Sequence, residues 1–259
     1  MQGLFTAWLA WPVIALFATL FVVYMGSAAF IVWLSFRSPL SGYIQSYKGV
    51  VAPFFTSTAV IFGLLIAFLS TDIWMRNKQA ETVVFTESDT LIGLYSLSAA
   101  SAGDNAALRT AIRGYVSAVI EDEWPQMAIQ DRSPRTDAAL NTLLREVAKP
   151  ANATDPSVQR TMLDMVLRVR TAHEDRLVIS NDRTVVTKWA AVLLLALITQ
   201  IAIAVVHLER PRPQAAALVI FTTAAVLLLG LLAMHEAPFE PPIFVPPGPI
   251  ADVLALVPP

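Results

Sequence analysis

The chain has 259 residues, 56% of them hydrophobic and 15% charged, with a mean hydropathy of +0.59 and a formal net charge of -2. That apolar content is well above the range of soluble domains, and the slightly acidic balance argues against nucleic acid as a partner. No cysteine is present, which excludes disulfides, thiolate metal sites and thiol chemistry.

Charge is absent from residues 1–36, 49–71, 189–208 and 213–234. Each stretch is near or above the roughly 20 apolar residues that an α-helix needs to cross a bilayer. The first predicted span covers Thr6–Phe36, with Trp8, Trp11 and Trp33 near its ends as interfacial anchors. It lacks the charged leading region and short apolar stretch of a signal peptide, so it reads as a retained span. A turn-rich loop, RSPLSGYIQSYKG, leads to a second span over Val50–Met75.

Residues 76–183 hold most of the charge and are patterned as helices. One helix continues out of span two to about Ser98. The stretch SAGDN then breaks it, with Asp104 as a candidate N-cap. The next helix is predicted to stop at Trp124, because Pro125 disfavours a helical conformation in the residue before it. That places Glu121, Asp122 and Glu123 at a helix C-terminus, where the macrodipole disfavours negative charge. Three readings follow: a solvated helix end, pairing with cations from elsewhere, or a calcium site. A short helix is predicted over Thr136–Val147, and ATDP (153–156) supplies an N-cap and a first-turn proline for a helix running to about Ile179.

Spans three and four cover Thr187–His207 and Gln214–Met234, joined by the tight turn LERPRP as an antiparallel hairpin. The tail from Pro238 holds eight of the seventeen prolines and cannot be one helix. Its apolar content predicts packing along the membrane surface or against the helical domain. The reading is an all-α integral membrane protein: four transmembrane helices with a helical extramembrane domain between spans two and three. Its boundaries are 1–75 for the first two spans, 76–183 for the helical domain, 184–236 for spans three and four, and 237–259 for the tail. Orientation is open, since Arg37, Lys48, Arg210 and Arg212 in the short loops oppose the basic flanks of the domain.

Catalytic signals are missing. His173, His207 and His235 lie on different elements, and the chain has no GxSxG, HExxH or phosphate-binding glycine loop. No enzymatic activity and no cofactor are expected, apart from the calcium alternative at Glu121, Asp122 and Glu123. In span two, Ala59, Gly63 and Ala67 belong to a small-residue stripe that lets membrane helices approach closely. Phe55, Phe62 and Phe68 flank it and are candidates for an apolar pore constriction, against the plainer reading of tight packing within a bundle. Glu87 falls inside the apolar stripe of Ala80, Val84 and Leu91, while His173 and Arg176 fall inside that of Met162, Val166 and Val169. A buried carboxylate needs a partner, so Glu87 is expected to meet Arg176 or Arg113, unless these faces reach water. Gln200 in span three reads as an interhelical hydrogen bond rather than a transport site.

Several of these segments together resemble the bacterial bestrophin-like domain family, four-span membrane proteins remotely similar to bestrophin anion channels. The resemblance runs from about Phe62 to Phe239. It is carried by FGLLIAF with Trp74, ESDTLIGLYSL, RGYVSAVIEDEWP, DRL with Arg176, Trp189 and APF with Phe239. Glu123, Trp124 and Pro125 are the most specific element. Ala237 and Pro241 depart from the family pattern, which has Arg and Gly there. The resemblance implies a homo-oligomeric, multi-pass protein of the cell (inner) membrane and, by analogy, an anion-conducting channel lined by span two. It also favours a structural role for Trp124 and Pro125, with Glu123 paired to Arg113 or to an arginine of the long helix. The alternative is a non-conducting scaffold or accessory subunit that binds another membrane protein.

Overall fold

The computed structural model describes residues 8, 11–101, 105–149 and 155–257. Ten α-helices are described: α1 (Val13–Phe36), α2 (Ser41–Gln45), α3 (Ala52–Ala100), α4 (Ala106–Ala118), α5 (Trp124–Met127), α6 (Pro134–Val147), α7 (Pro156–Asn181), α8 (Val186–Val206), α9 (Pro211–Met234) and α10 (Gly248–Leu256). A π-helical turn, Val119–Glu123, joins α4 to α5. No strand occurs among the described residues. Four stretches, lying in α1, α3, Pro156–Val206 and α9, are long and apolar enough to cross a membrane. Asp104, the predicted cap, lies outside the described residues.

The chain forms two compact units. The first comprises Met1–Trp74 and Arg183–Glu236, and the second Met75–Asp182 and Ala237–Pro259. Helix α3 contributes residues to both.

The membrane unit packs α1, α8, α9 and the first part of α3. Leu16, Leu20, Tyr24 and Ala28 recur every four residues and form the buried stripe of α1. Close approach of α9 to α1 rests on Gly230, where a Cβ would fall 2.3 Å from the Phe17 ring. Phe62, Ile66, Leu69 and Ile73 supply the α3 side of this core.

Without water to satisfy polar groups, the spans satisfy one another. Gln200 of α8 donates through Nε2 to Tyr24 O (2.9 Å) on α1 and to Thr222 Oγ1 (2.8 Å) on α9. Its Oε1 accepts from Ser27 Oγ at 2.6 Å. Three helices are thereby fixed in register by one buried amide. At the end of α9, Glu236 accepts from Trp189 Nε1 (3.1 Å) and from the Thr184 amide (2.6 Å).

The second unit is a helical bundle around residues such as Leu91, Ile112, Leu143, Met162 and Val166. Its helix starts are chemically marked. Ser133 caps α6 by accepting from Thr136 N, and Asp155 caps α7 by accepting from Ser157 N, each followed by proline. The proline-rich tail takes the second of its two expected courses: Phe239, Ile250, Val253 and Val257 enter this core. Its Pro249 carbonyl accepts from Ser88 Oγ, and its Val257 carbonyl accepts from Arg113 Nη1 at 2.7 Å.

Gln200→Met keeps the length of the side chain and removes three interhelical hydrogen bonds. It is expected to lower unfolding free energy by roughly 1–2 kcal/mol, the upper part of the range for polar contacts between membrane helices. Unfolding by sodium dodecyl sulfate titration from mixed micelles would measure it.

Candidate functional site

The polar centre of the helical unit is built on Arg176 of α7. Its Nε donates to Glu87 Oε2 (2.8 Å) and its Nη2 to Glu87 Oε1 (3.2 Å), a two-pronged contact with α3. Its Nη1 lies 2.8 Å from Glu123 Oε1. Tyr115 Oη donates to Glu87 Oε1 at 2.5 Å, and the guanidinium stands 5.1 Å from the centroid of the Trp124 ring. His173, one helical turn before Arg176, places Nδ1 3.3 Å from Glu123 Oε1. Glu87, Tyr115, Glu123, His173 and Arg176 are fully buried. Burial alone would lower the Arg176 pKa, but Glu87 and Glu123 outweigh it and hold the group above its ordinary value. Burial, with Glu87 adding to it, pushes the Tyr115 phenol well above its usual range, so it remains a hydrogen-bond donor.

Of the cations predicted for this network, Arg176 takes both carboxylates. Arg113 turns to the tail carbonyl of Val257 instead, so that part of the expected pairing is corrected. The reason is positional: Tyr115, two residues on, occupies the inward face of α4, and Arg113 lies about 200° around the helix from it. Tyr115, His173 and Asp137 join the network without having been predicted as members of it. The spacing of His173 and Arg176 on one apolar stripe was the available signal for the histidine.

The stretch IEDEWP resolves differently from its expectation. The helix does not stop at Trp124. The Trp124 amide donates to Val119 O, five residues back, and the chain re-enters α-helix with Pro125 near its start. This wider turn resets the bonding register where proline has no donor to give. The three carboxylates then diverge. Glu121 faces outward to Arg135 (3.1 Å), Asp122 accepts from the Ser133 hydroxyl that caps α6, and Glu123 turns into the core. They do not converge on a common point, so the calcium alternative lacks its ligand set. Among the described residues no cluster of three or more His, Asp or Glu is placed to hold a metal.

A second, half-exposed layer surrounds the knot. Arg132 grips Asp137 through Nε and Nη2 (both 2.9 Å) and Glu174 through Nη1 and Nη2 (3.1 and 2.7 Å). Hydrogen bonds from Arg132 hold both carboxyls below their ordinary pKa. Asp137 Oδ1 lies 3.6 Å from His173 Nε2, linking this layer to the centre.

The membrane part of α3 has two faces. Phe62 is 8% exposed and stacks edge-on against Phe221 of α9, with ring centroids 5.7 Å apart. Phe55 is half-buried against the cluster of Ala28, Ile203 and Leu218. Phe68 is 66% exposed, on the outward face with Val60, Leu64, Gly63 and Ala67. Phe62 and Phe68 are six residues apart, hence about 120° apart around the helix, and cannot share a face. Phe62 therefore belongs to the bundle interior. A Cβ added at Gly63 would meet nothing within 4 Å among the described residues. Ala59 is half-buried beside this face.

These features define a multi-pass, all-helical membrane protein with a charged helical segment between its second and third spans. The bestrophin-like domain model matches residues 22–250, so the chain belongs to the bestrophin-like domain family. The match extends further at both ends than the resemblance read from residues 62–239. No curated protein matches the chain. Among solved structures, a point variant of a bacterial bestrophin homologue from Klebsiella pneumoniae is similar with a TM-score of 0.69 at 12% identity, over 90% of this chain and 97% of that one. Another structure of the Klebsiella pneumoniae homologue gives 0.67 at 10% identity, over 89% and 95% of the two chains. A membrane-protein variant gives 0.72 at 10% identity, over 93% and 97%. At such identities the likeness is one of fold.

Arg176→Met strands Glu87 and Glu123 together and is expected to cost at least the roughly 3–5 kcal/mol typical of breaking a buried ion pair. Glu87→Gln should cost less, because Glu123 still neutralises the guanidinium. Thermal unfolding of the detergent-purified chain checks the order, and equal stability of both variants with wild type would remove the knot's structural role. At the outer layer, folded-state carboxyl pKa values are depressed, so the stabilisation is complete above the unfolded values of about 4 and is lost as pH falls through the lower folded ones. Arg132→Gln should thus cost about 1 kcal/mol or less at pH 7, given its exposure. The difference from wild type should close under strong acid in unfolding curves recorded across pH.

Proposed function

We propose that the chain is the protomer of a homo-oligomeric, anion-conducting channel of bestrophin type in the cell (inner) membrane, with α3 of each protomer facing the axis. The observation that carries this reading is the outward face of α3. It is apolar, it bears a protruding Phe68, and its small residues Gly63 and Ala67 are exposed. Small residues on an exposed membrane helix allow close approach of a second helix, and a ring of such faces requires closed cyclic symmetry. Phe68 is the constriction residue in this arrangement, closing the path by excluding water from an apolar neck.

Residues 49–71 carry no charge, so no ring of ionised side chains can select the ion there. Selectivity falls to helix dipoles, backbone groups and loop residues. The buried knot of Arg176, Glu87 and Glu123 has a structural task in this reading: it sets the register of α3 against α7 within the helical unit. The same uncharged face would also suit a different membrane protein, which is the scaffold alternative.

The test is chloride flux in reconstituted liposomes for wild type, Phe68→Ala and Phe62→Ala. Phe68→Ala is expected to raise flux or alter selectivity. Phe62→Ala is expected to lower stability by roughly 3–5 kcal/mol, as loss of a buried ring does, without a change in selectivity. No flux from folded, oligomeric protein would favour the scaffold.

A further inference from the structure

The membrane unit holds a groove of about 650 Å³ between α1 and α9. Small residues, Ala28 and Ala29 on α1 and Ala215 on α9, form part of its lining. It begins at Met25 and ends at Arg37 and Pro211. Met25 and Arg37 are twelve residue steps apart, which is about 18 Å at 1.5 Å per residue. One leaflet of hydrocarbon is about 15 Å deep, half of the roughly 30 Å core. The groove is thus as long as one acyl chain is deep.

The chemistry changes at its outer end. Arg37 is exposed at the groove mouth, and Arg210 and Arg212 flank Pro211 on the other wall. None of the three has an ion-pair partner among the described residues. Residues 37–51 contain no carboxylate, and Glu209 is the one acid in the turn between α8 and α9. The positive end of the α9 dipole lies at the same level. An apolar slot of leaflet depth that opens onto unpaired arginines complements a molecule with a hydrocarbon chain and a negatively charged head.

We propose that this groove is a binding site for an anionic phospholipid, with one acyl chain lying between α1 and α9 and the phosphate headgroup at Arg37. A basic residue near the surface contributes about 1 kcal/mol toward an anionic lipid, which is about fivefold in affinity. Trp33, on the groove wall, suits the interfacial level of the glycerol backbone.

Native mass spectrometry of the full chain, delipidated in detergent and then given phosphatidylglycerol or phosphatidylcholine with identical acyl chains, tests the site. Wild type is expected to retain phosphatidylglycerol preferentially. Arg37→Gln should reduce that preference about fivefold. Ala29→Trp, which puts a large ring on the groove lining, should lose bound lipid of both kinds. Arg145→Gln removes an exposed charge on α6 and should behave as wild type. Equal retention of the two lipids by wild type, or undiminished phosphatidylglycerol preference in Arg37→Gln, would overturn the proposal. Glycerol phosphate binding as strongly as the whole lipid would overturn it too, since the groove would then contribute nothing. Arg37 lies on the surface, so its variant keeps the test intact should Ala29→Trp fail to fold.

Discussion

A guanidinium with no access to water governs the helical unit. Moving such a charge out of water costs several kcal/mol, and the cost is recovered when hydrogen-bonded opposite charges surround it. Arg176 therefore demands carboxylates, and it draws them from two separate parts of the chain, Glu87 on α3 and Glu123 on the π-helical turn. Neither can slide by a residue without leaving charge unpaired in an apolar core. Tyr115 and His173 add to the arrangement at Glu87 Oε1 and Glu123 Oε1, the same oxygens that Arg176 contacts. The knot is weak evidence for large net stability, since desolvation offsets much of the attraction. It is strong evidence for a single register.

The π-helical turn follows from that demand. In a regular α-helix, Glu121, Asp122 and Glu123 would point about 100° apart, and Pro125 would break the ladder just beyond them. The wider turn absorbs the missing donor and presents Glu123 to Arg176 while Trp124 lies against the same guanidinium. Asp122 is left to brace the capping serine of α6, and Glu121 remains in solvent with Arg135. Three adjacent acids thus do three different things, which accounts for a cluster that is unfavourable as a plain helix end.

The membrane unit obeys the opposite rule, in which apolar packing is permissive and a few polar contacts specify. Gln200 ties α1, α8 and α9 together through one amide. The face of α3 carrying Phe62 is committed to this bundle, whereas the face carrying Phe68 is free for association outside the chain. Membership of the bestrophin-like family and the shared fold give that free face its functional interest.

Much of this was legible in the residues alone. Uncharged stretches of about 20 residues mark the spans because hydrocarbon strongly disfavours charge, and Asp155 with its proline marks a helix start through local chemistry. Glu87 and Arg176 stood out because each interrupts an apolar stripe of its own helix. Three matters were decided by tertiary structure. Which arginine meets Glu87 depends on α3 and α7 coming together across 89 residues of chain, a distance over which periodicity says nothing. Whether a proline ends a helix or sits beyond a π turn depends on what the turn must reach. The orientation of Phe62 and Phe68 depends on which face of α3 the other spans cover, and in an all-apolar span every face looks alike in sequence. Local pattern determines where helices lie and which residues are out of place in them, while the pairing of faces is a long-range balance of burial and charge that only the packed chain resolves.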